Sequence, residues 1–265
     1  MQSLAEAAIT VLTTADAVEK CRLTRAFAAD WSEGRVTTVG DALPPARPYR
    51  PERPQLLAPR EMPKRAYGGE RGRIGLLHAL AHIELNAVDL AWDIVCRFPH
   101  EQMPKGFLDD WVQVALDEAV HFEMLEELLN KLGATYGDLP AHDGLWQAAE
   151  KTADDLMARL AVVPMTLEAR GLDTTPATME RLARNGDTLT PPVLDIIFHD
   201  EIAHVAAGVR WFAYLAERRG VEGRAEYHRL IAERFPAGLK QPFNHPARAE
   251  AAFPRDWYEP LARAA

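Results

Sequence analysis

Two short patterns of the same kind stand out in this chain, Glu118-x-x-His121 and Glu201-x-x-His204, each with a lone glutamate at nearly the same distance upstream, Glu84 and Glu168. A carboxylate and an imidazole three residues apart share one face of a helix, so each pair offers an oxygen and a nitrogen donor side by side. With one glutamate from each of two further helices, the six side chains form the ligand set of a dinuclear metal site inside a four-helix bundle. Such donors suit iron or manganese, and the lack of cysteine among them disfavours softer ions.

The face each residue occupies decides whether that chemistry is available. On one helix Trp111, Val114, Glu118, His121, Leu125 and Leu128 fall in register; on another Leu194, Ile197, Glu201, His204, Gly208, Trp211 and Leu215 do so. Glu84 falls four after Leu80 and three before Ala87, and Glu168 falls eight after Leu160 and four after Pro164. The acids therefore stand where a leucine is expected, and converging buried carboxylates repel one another unless cations neutralise them. Four glutamates balance two divalent ions, with neutral imidazoles completing the coordination.

The elements that must position these residues read as helices. Residues 3 to 30 carry helical apolar spacing, with Asp16 as a cap for a second short helix. Prolines recur from Pro44 to Pro63 and exclude regular helix or sheet, which predicts an extended arm wrapping the core. Leu76, Leu80, Ile83, Ala87, Leu90 and Ile94 predict a helix ending before Pro99, and a second runs from about Lys105 to Leu132, stopped by Gly133. A third is expected from about Leu145 to Arg170, ended by Gly171, then a connection containing Pro176 and a small helix near Met179 to Ala183. Thr190 is expected to cap a fourth helix reaching Arg219, stopped by Gly220.

Beyond it a short helix (Ala225 to Glu233) leads into an aromatic, proline-containing tail that should pack on its own domain or on a partner. The expected organisation is all-α: an N-terminal helical appendage (1–41), a Pro-rich arm (42–70), a four-helix bundle (71–220) and a C-terminal helix and tail packed on the bundle (221–265). Pro164, one turn before Glu168, predicts a kink, a local widening or simple curvature. His78 and His82 lie well around their helix from Glu84, which suggests supporting or surface roles. His199 should face away from the metals. Asp89, Asp117, Asp200 and Asn86 could orient ligand imidazoles, and Trp92, Trp111, Trp146 and Trp211 read as core packing.

Bulk properties exclude several classes. A net charge of −9 over 265 residues argues against a general nucleic-acid or anionic-membrane binder. Locally, Arg47, Arg50, Arg53, Arg60, Lys64, Arg65, Arg71 and Arg73 outnumber Glu52, Glu61 and Glu70, which leaves open a solvated linker or an anion site. Cys21 and Cys96, far apart and outside any CxxC, indicate neither a disulfide framework nor a metal cluster. No basic leader with an apolar core begins the chain, and no uninterrupted apolar run reaches the roughly 18 residues of a membrane span. These features lead to the expectation of a cytoplasmic protein.

The stretches LLHALAHIELNAVDLAWD, VALDEAVHFEMLEELL, YGDLPAHDGLW, AVVPMTLEARGLD and FHDEIAHVAAGVRWF, the tail GLKQPFNHPAR and the arm PREMPKRAYG closely resemble the ferritin-like family catalogued as domain of unknown function 455. The resemblance implies a ferritin-like fold with Glu84, Glu118, His121, Glu168, Glu201 and His204 as metal ligands. More distantly, the two-fold Glu and Glu-x-x-His plan is similar to that of di-iron tRNA hydroxylases.

The leading expectation is an oxidoreductase that activates O2 at two iron ions, or manganese, or a mixed Fe/Mn pair, and hydroxylates or desaturates a small organic substrate. Glu118 and Glu201 are the expected bridges and catalytic carboxylates, Glu84 and Glu168 terminal ligands, and His121 and His204 bind one metal each. No nucleotide-binding glycine motif is present, so electrons would come from a separate reductase or from the substrate, and a monomer or small homo-oligomer is expected. The alternatives are a ferroxidase, a metal-storage or peroxide-detoxifying ferritin-like protein, and a helical scaffold whose metal site is vestigial.

Overall fold

The computed structural model describes residues 3–63 and 69–263, so Lys64 and Arg65 of the basic arm lie outside the described residues. Among the described residues every regular element is helical, and the only β-type pairings are two isolated bridges, Leu56 with Ala141 and Leu239 with Ala262. The chain divides into two compact units, Met1–Gln147 and Ala148–Ala265.

In the first unit α1 (Leu4–Leu12) starts where the Ser3 side chain and Glu6 form a capping box, and α2 (Ala17–Ser32) starts where Asp16 accepts the Glu19 amide. The arm follows, extended except for a 3₁₀ turn at Pro59–Glu61. It is held by the Tyr49 amide on the Leu12 carbonyl (2.7 Å), by Arg97 on the Pro45 carbonyl (2.9 Å) and by the Leu57 amide on the Ala141 carbonyl (2.8 Å). The long helices α3 (Gly69–Arg97) and α4 (Lys105–Lys131) pack along each other, separated by a 3₁₀ turn at Pro99–Glu101. α4 stops at Gly133, whose φ of +69° suits only glycine well.

The inward face of α3 differs from the expected one. Leu77, Ala81, Glu84, Leu85 and Val88 are buried, whereas Ile83 is 42% exposed. From Glu84 to Cys96 every α3 residue is buried, so this half of the helix is enclosed on all sides and no single stripe describes it. Among the described residues α3 alone is long and apolar enough to cross a membrane by length and composition. Yet 67% of that stretch is buried inside the fold, as in the core helix of a helical protein.

α5 (Gly144–Glu150) carries the chain from the first unit into the second. The expected third helix starts later and runs further than the sequence suggested. Asp155 caps α6 (Leu156–Val162), a π-helical turn occupies Val163–Glu168, and α7 (Ala169–Arg184) continues through Gly171 and Pro176. α7 continues past its proline because the Leu172 carbonyl, which Pro176 leaves without an amide, accepts from the Asn244 side chain (3.0 Å), and because Asp173 is anchored by Arg248 (2.8 Å).

α8 (Thr190–Arg219) ends at Gly220, φ +67°. Its cap is Asp187 rather than Thr190: the Asp187 carboxylate accepts the Leu189 and Thr190 amides (both 3.0 Å) and the Thr190 hydroxyl (2.7 Å). α9 (Gly223–Arg234), α10 (His245–Glu250) and α11 (Arg255–Tyr258) complete the unit. The aromatic tail folds onto this unit, with Phe243, Phe253 and Tyr258 around the Arg248 guanidinium.

Candidate metal centre

α3 and α4 bring three of the expected ligands together. Glu84, Glu118 and His121 are 3%, 0% and 0% exposed. His121 Nδ1 lies 3.5 Å from Glu84 Oε2 and 3.3 Å from Glu118 Oε2. One carboxylate oxygen from each glutamate and a ring nitrogen of His121 fall within 4.8 Å of one another. Burial, and next the charge of Glu118, push the Glu84 carboxyl up to about 8. A core that held these groups only for packing would use leucine at no electrostatic cost. A divalent cation accepts both carboxylates and the imidazole together, so the donor set fits a metal ion.

The second unit carries the other Glu-x-x-His pair in the same arrangement. Glu201 and His204 are buried on α8, with His204 Nδ1 3.8 Å from Glu201 Oε2. Glu168 is half-buried and is the last residue of the π-helical turn. At ~100° per residue, eight α-helical steps would carry it about 80° away from Leu160. One inserted residue makes the interval effectively seven, which returns it to within about 20° of that stripe.

Pro164 removes an amide donor at the start of the turn, and the Thr166 hydroxyl bonds the Ala161 carbonyl (2.8 Å) and the Tyr227 hydroxyl (2.9 Å). α8 approaches the turn at Gly208, where an added Cβ would sit 2.7 Å from Pro164 Cβ. The local widening expected at Pro164 is therefore present, and it sets the register of Glu168.

The neighbours act differently from the sequence reading. His78 Nε2 accepts the Gly137 and Leu139 amides (2.9 and 3.3 Å), which requires a neutral ring protonated at Nδ1. His82 Nε2 donates to the His142 carbonyl (3.2 Å), so its Nδ1 accepts from the Tyr136 hydroxyl (2.8 Å). Both histidines are buried and pin the 133–143 loop to α3; neither is a surface residue. Burial lowers both rings, His82 to about 4.

Asp89 and Asn86 support no ligand imidazole. Asp89 pairs with Lys20 and Arg50, and Asn86 accepts from Arg50 (2.6 Å). Sequence reasoning missed Lys20, although it sits at a buried position beside Cys21 and Thr24, where a charge signals a buried partner. Arg248, 1% exposed and held by Asp173, was missed for want of any local pattern. His199 is exposed and turned to the Asp195 carbonyl, and Trp92, Trp111, Trp146 and Trp211 are buried, as expected. Cys21 and Cys96 are buried and form no disulfide.

These observations describe an all-helical protein with a buried glutamate and histidine cluster able to hold a metal ion. Residues 13–259 match the family described as "Protein of unknown function (DUF455)", and the chain belongs to that family. It is 38% identical over 261 residues to a Haemophilus influenzae protein titled "Uncharacterized protein", covering 94% of this chain and 91% of that relative. No solved structure matches the chain.

Proposed function

We propose that this protein is a metal-dependent oxidoreductase. In this reading Glu84, Glu118 and His121 of the first unit and Glu168, Glu201 and His204 of the second hold two iron ions, manganese ions or one of each. The helix pairs α3/α4 and α7/α8 would then form a ferritin-like four-helix bundle. The observation that carries the reading is the buried convergence of Glu84, Glu118 and His121, with the Glu84 carboxyl raised to about 8. The matching Glu-x-x-His pair on α8 and the π-helical turn that resets Glu168 support the other half.

Once bound, the metal pair would supply the electrons and open coordination positions that O2 activation requires. The chain supplies the rest. Glu84 holds a proton while the site is free of metal and releases it as the metal enters, which makes affinity rise with pH. Buried apolar residues beside the ligands on the same two helices, Leu85, Val88, Ala115 and Phe122 among them, would keep bulk water from the site. A small organic molecule is the proposed substrate, hydroxylated or desaturated, with electrons delivered by a separate reductase. The net charge of −9 weighs against a nucleic-acid substrate.

Anaerobic titration of the metal-free protein with Fe(II), followed by metal quantification and measurement of O2 consumption, tests the proposal. Wild type is expected to bind two equivalents and consume O2, and Glu118→Ala to bind at most one. Folded wild-type protein that binds no stoichiometric iron or manganese would overturn it.

A further inference from the structure

Glu168 sits at the end of a turn that a helix rarely adopts unaided. The π-helical stretch Val163–Glu168 inserts one residue into the run from α6 to α7. Closing it to α-helical pitch would swing Glu168 about 100° around the axis, away from the stripe it shares with Leu160. Pro164 removes one amide, and Gly208 leaves room for the proline ring, but both only permit the turn.

A relay of two hydroxyls braces it. In a regular helix a threonine hydroxyl reaches the carbonyl three or four residues back, as Thr10, Thr14, Thr174 and Thr178 each do in this chain. The Thr166 hydroxyl instead bonds the Ala161 carbonyl, five back (2.8 Å), which only the wider turn brings within reach. That bond uses the one hydroxyl proton of Thr166, so Tyr227, 2.9 Å away, is the donor to Thr166 Oγ1.

Tyr227 stands on α9, 0% exposed, with its ring among Phe212, Phe253 and Trp257. A phenylalanine would pack there equally well. The hydroxyl is the part that packing does not require, and it is directed at the turn, two residues before Glu168. On the other side of Glu168 the buried Arg248 guanidinium donates to the Ala169 carbonyl (3.3 Å) and to Asp173 (2.8 Å). The backbone on both sides of the glutamate is thereby tied to α9 and α10.

We infer that Tyr227 is a positioning residue of the metal centre, holding the π-helical turn through Thr166 and so setting Glu168 for a metal ion bound with Glu201 and His204. The inference rests on the metal site proposed above.

Titration of the metal-free full chain with Mn(II), with unbound Mn(II) counted by its electron paramagnetic resonance signal, tests this in wild type, Tyr227→Phe, Thr166→Val and Thr166→Ser. Wild type is expected to bind two ions. Tyr227→Phe and Thr166→Val break the relay; each should keep one ion at wild-type affinity and bind the other about tenfold more weakly, the effect of one buried hydrogen bond. Thr166→Ser keeps the hydroxyl and should bind both ions as wild type does. A role in packing alone would lower stability without singling out one ion and without rescue by serine. Folded Tyr227→Phe and Thr166→Val that bind both ions at wild-type affinity, or that bind both more weakly to the same extent, would overturn the inference and leave the metal site standing. Wild type that binds no stoichiometric Mn(II) would overturn the metal site and the inference with it. Should Tyr227→Phe fail to fold, the two Thr166 variants decide.

Discussion

Glu84→Gln should stabilise the metal-free protein and weaken the metal-loaded one. The glutamate is 3% exposed, and its carboxyl is pushed up to about 8 by burial and by Glu118. Because the folded-state value is raised, nothing is lost below about pH 4.5, where folded and unfolded chains both hold the proton. As pH climbs from there to about 8, the unfolded chain ionises while the folded one does not, and stability falls by up to about 1.4 kcal/mol per pH unit. Over that window the metal-free wild type gives up about 4 kcal/mol, and above it the loss is complete.

Glutamine keeps the shape and cannot ionise, so it escapes this loss. The measurement is urea denaturation of chelator-treated protein from pH 5 to 9, repeated with excess Mn(II). Without metal the variant should exceed wild type by a few kcal/mol at pH 8, and the two should converge toward pH 5. With metal at about a hundred thousand times its dissociation constant, wild type gains about 7 kcal/mol, more than its deficit, and the order reverses. A metal-free variant no more stable than wild type at pH 8, or a gap that does not close toward pH 5, would refute the reasoning.

Other positions give equally definite outcomes. Gly208→Ala drives a Cβ against the Pro164 ring and should cost about 1–3 kcal/mol by denaturation, whereas Gly171→Ala, with open space around it in α7, should gain about 0.5–1 kcal/mol. His78 and His82 are held neutral with lowered values, His82 at about 4. Their contribution is therefore intact above pH 6.5 and is lost as pH falls toward 4, and amide protection in the 133–143 loop, relative to the intrinsic exchange rate at each pH, should fall in that window first. Asp89→Ala leaves Lys20 and Arg50 buried without their carboxylate and should cost about 3–5 kcal/mol in urea melts, with Lys20→Met in the same chain restoring part of it.

Local signals reached as far as local physics does. The caps at Ser3 and Asp16, the stop at Gly133 and the inward Glu118 and His121 follow from one helix and its own sequence, and each is found there. α7 was not legible, because Gly171 and Pro176 weaken a helix in isolation, and what sustains it is the clamp of Asp173 by Arg248, 75 residues away. The inward face of α3 was misread at Ile83 because the helix is enclosed on nearly every side beyond Ala81, where a stripe has no meaning. The loop-pinning role of His78 and His82 was not legible because their partners are main-chain groups and the Tyr136 hydroxyl of a loop more than fifty residues away, which leave no mark beside them in the sequence.

α3 itself supplies the contrast that separates a structural charge from a functional one. It buries three acids, Glu84, Asp89 and Asp93. Asp89 is answered by Lys20 and Arg50, and Asp93 by Arg97 at 2.6 Å, so the chain provides the cation that each carboxylate needs. Glu84 meets the His121 imidazole and a second carboxylate, Glu118, which raises its cost. A helix whose buried acids are twice paired with a lysine or arginine of the same chain, and which at a third position gathers acids around an imidazole, follows two different rules. The first needs nothing from outside the chain, and the second is stable at neutral pH when a cation is bound from solution.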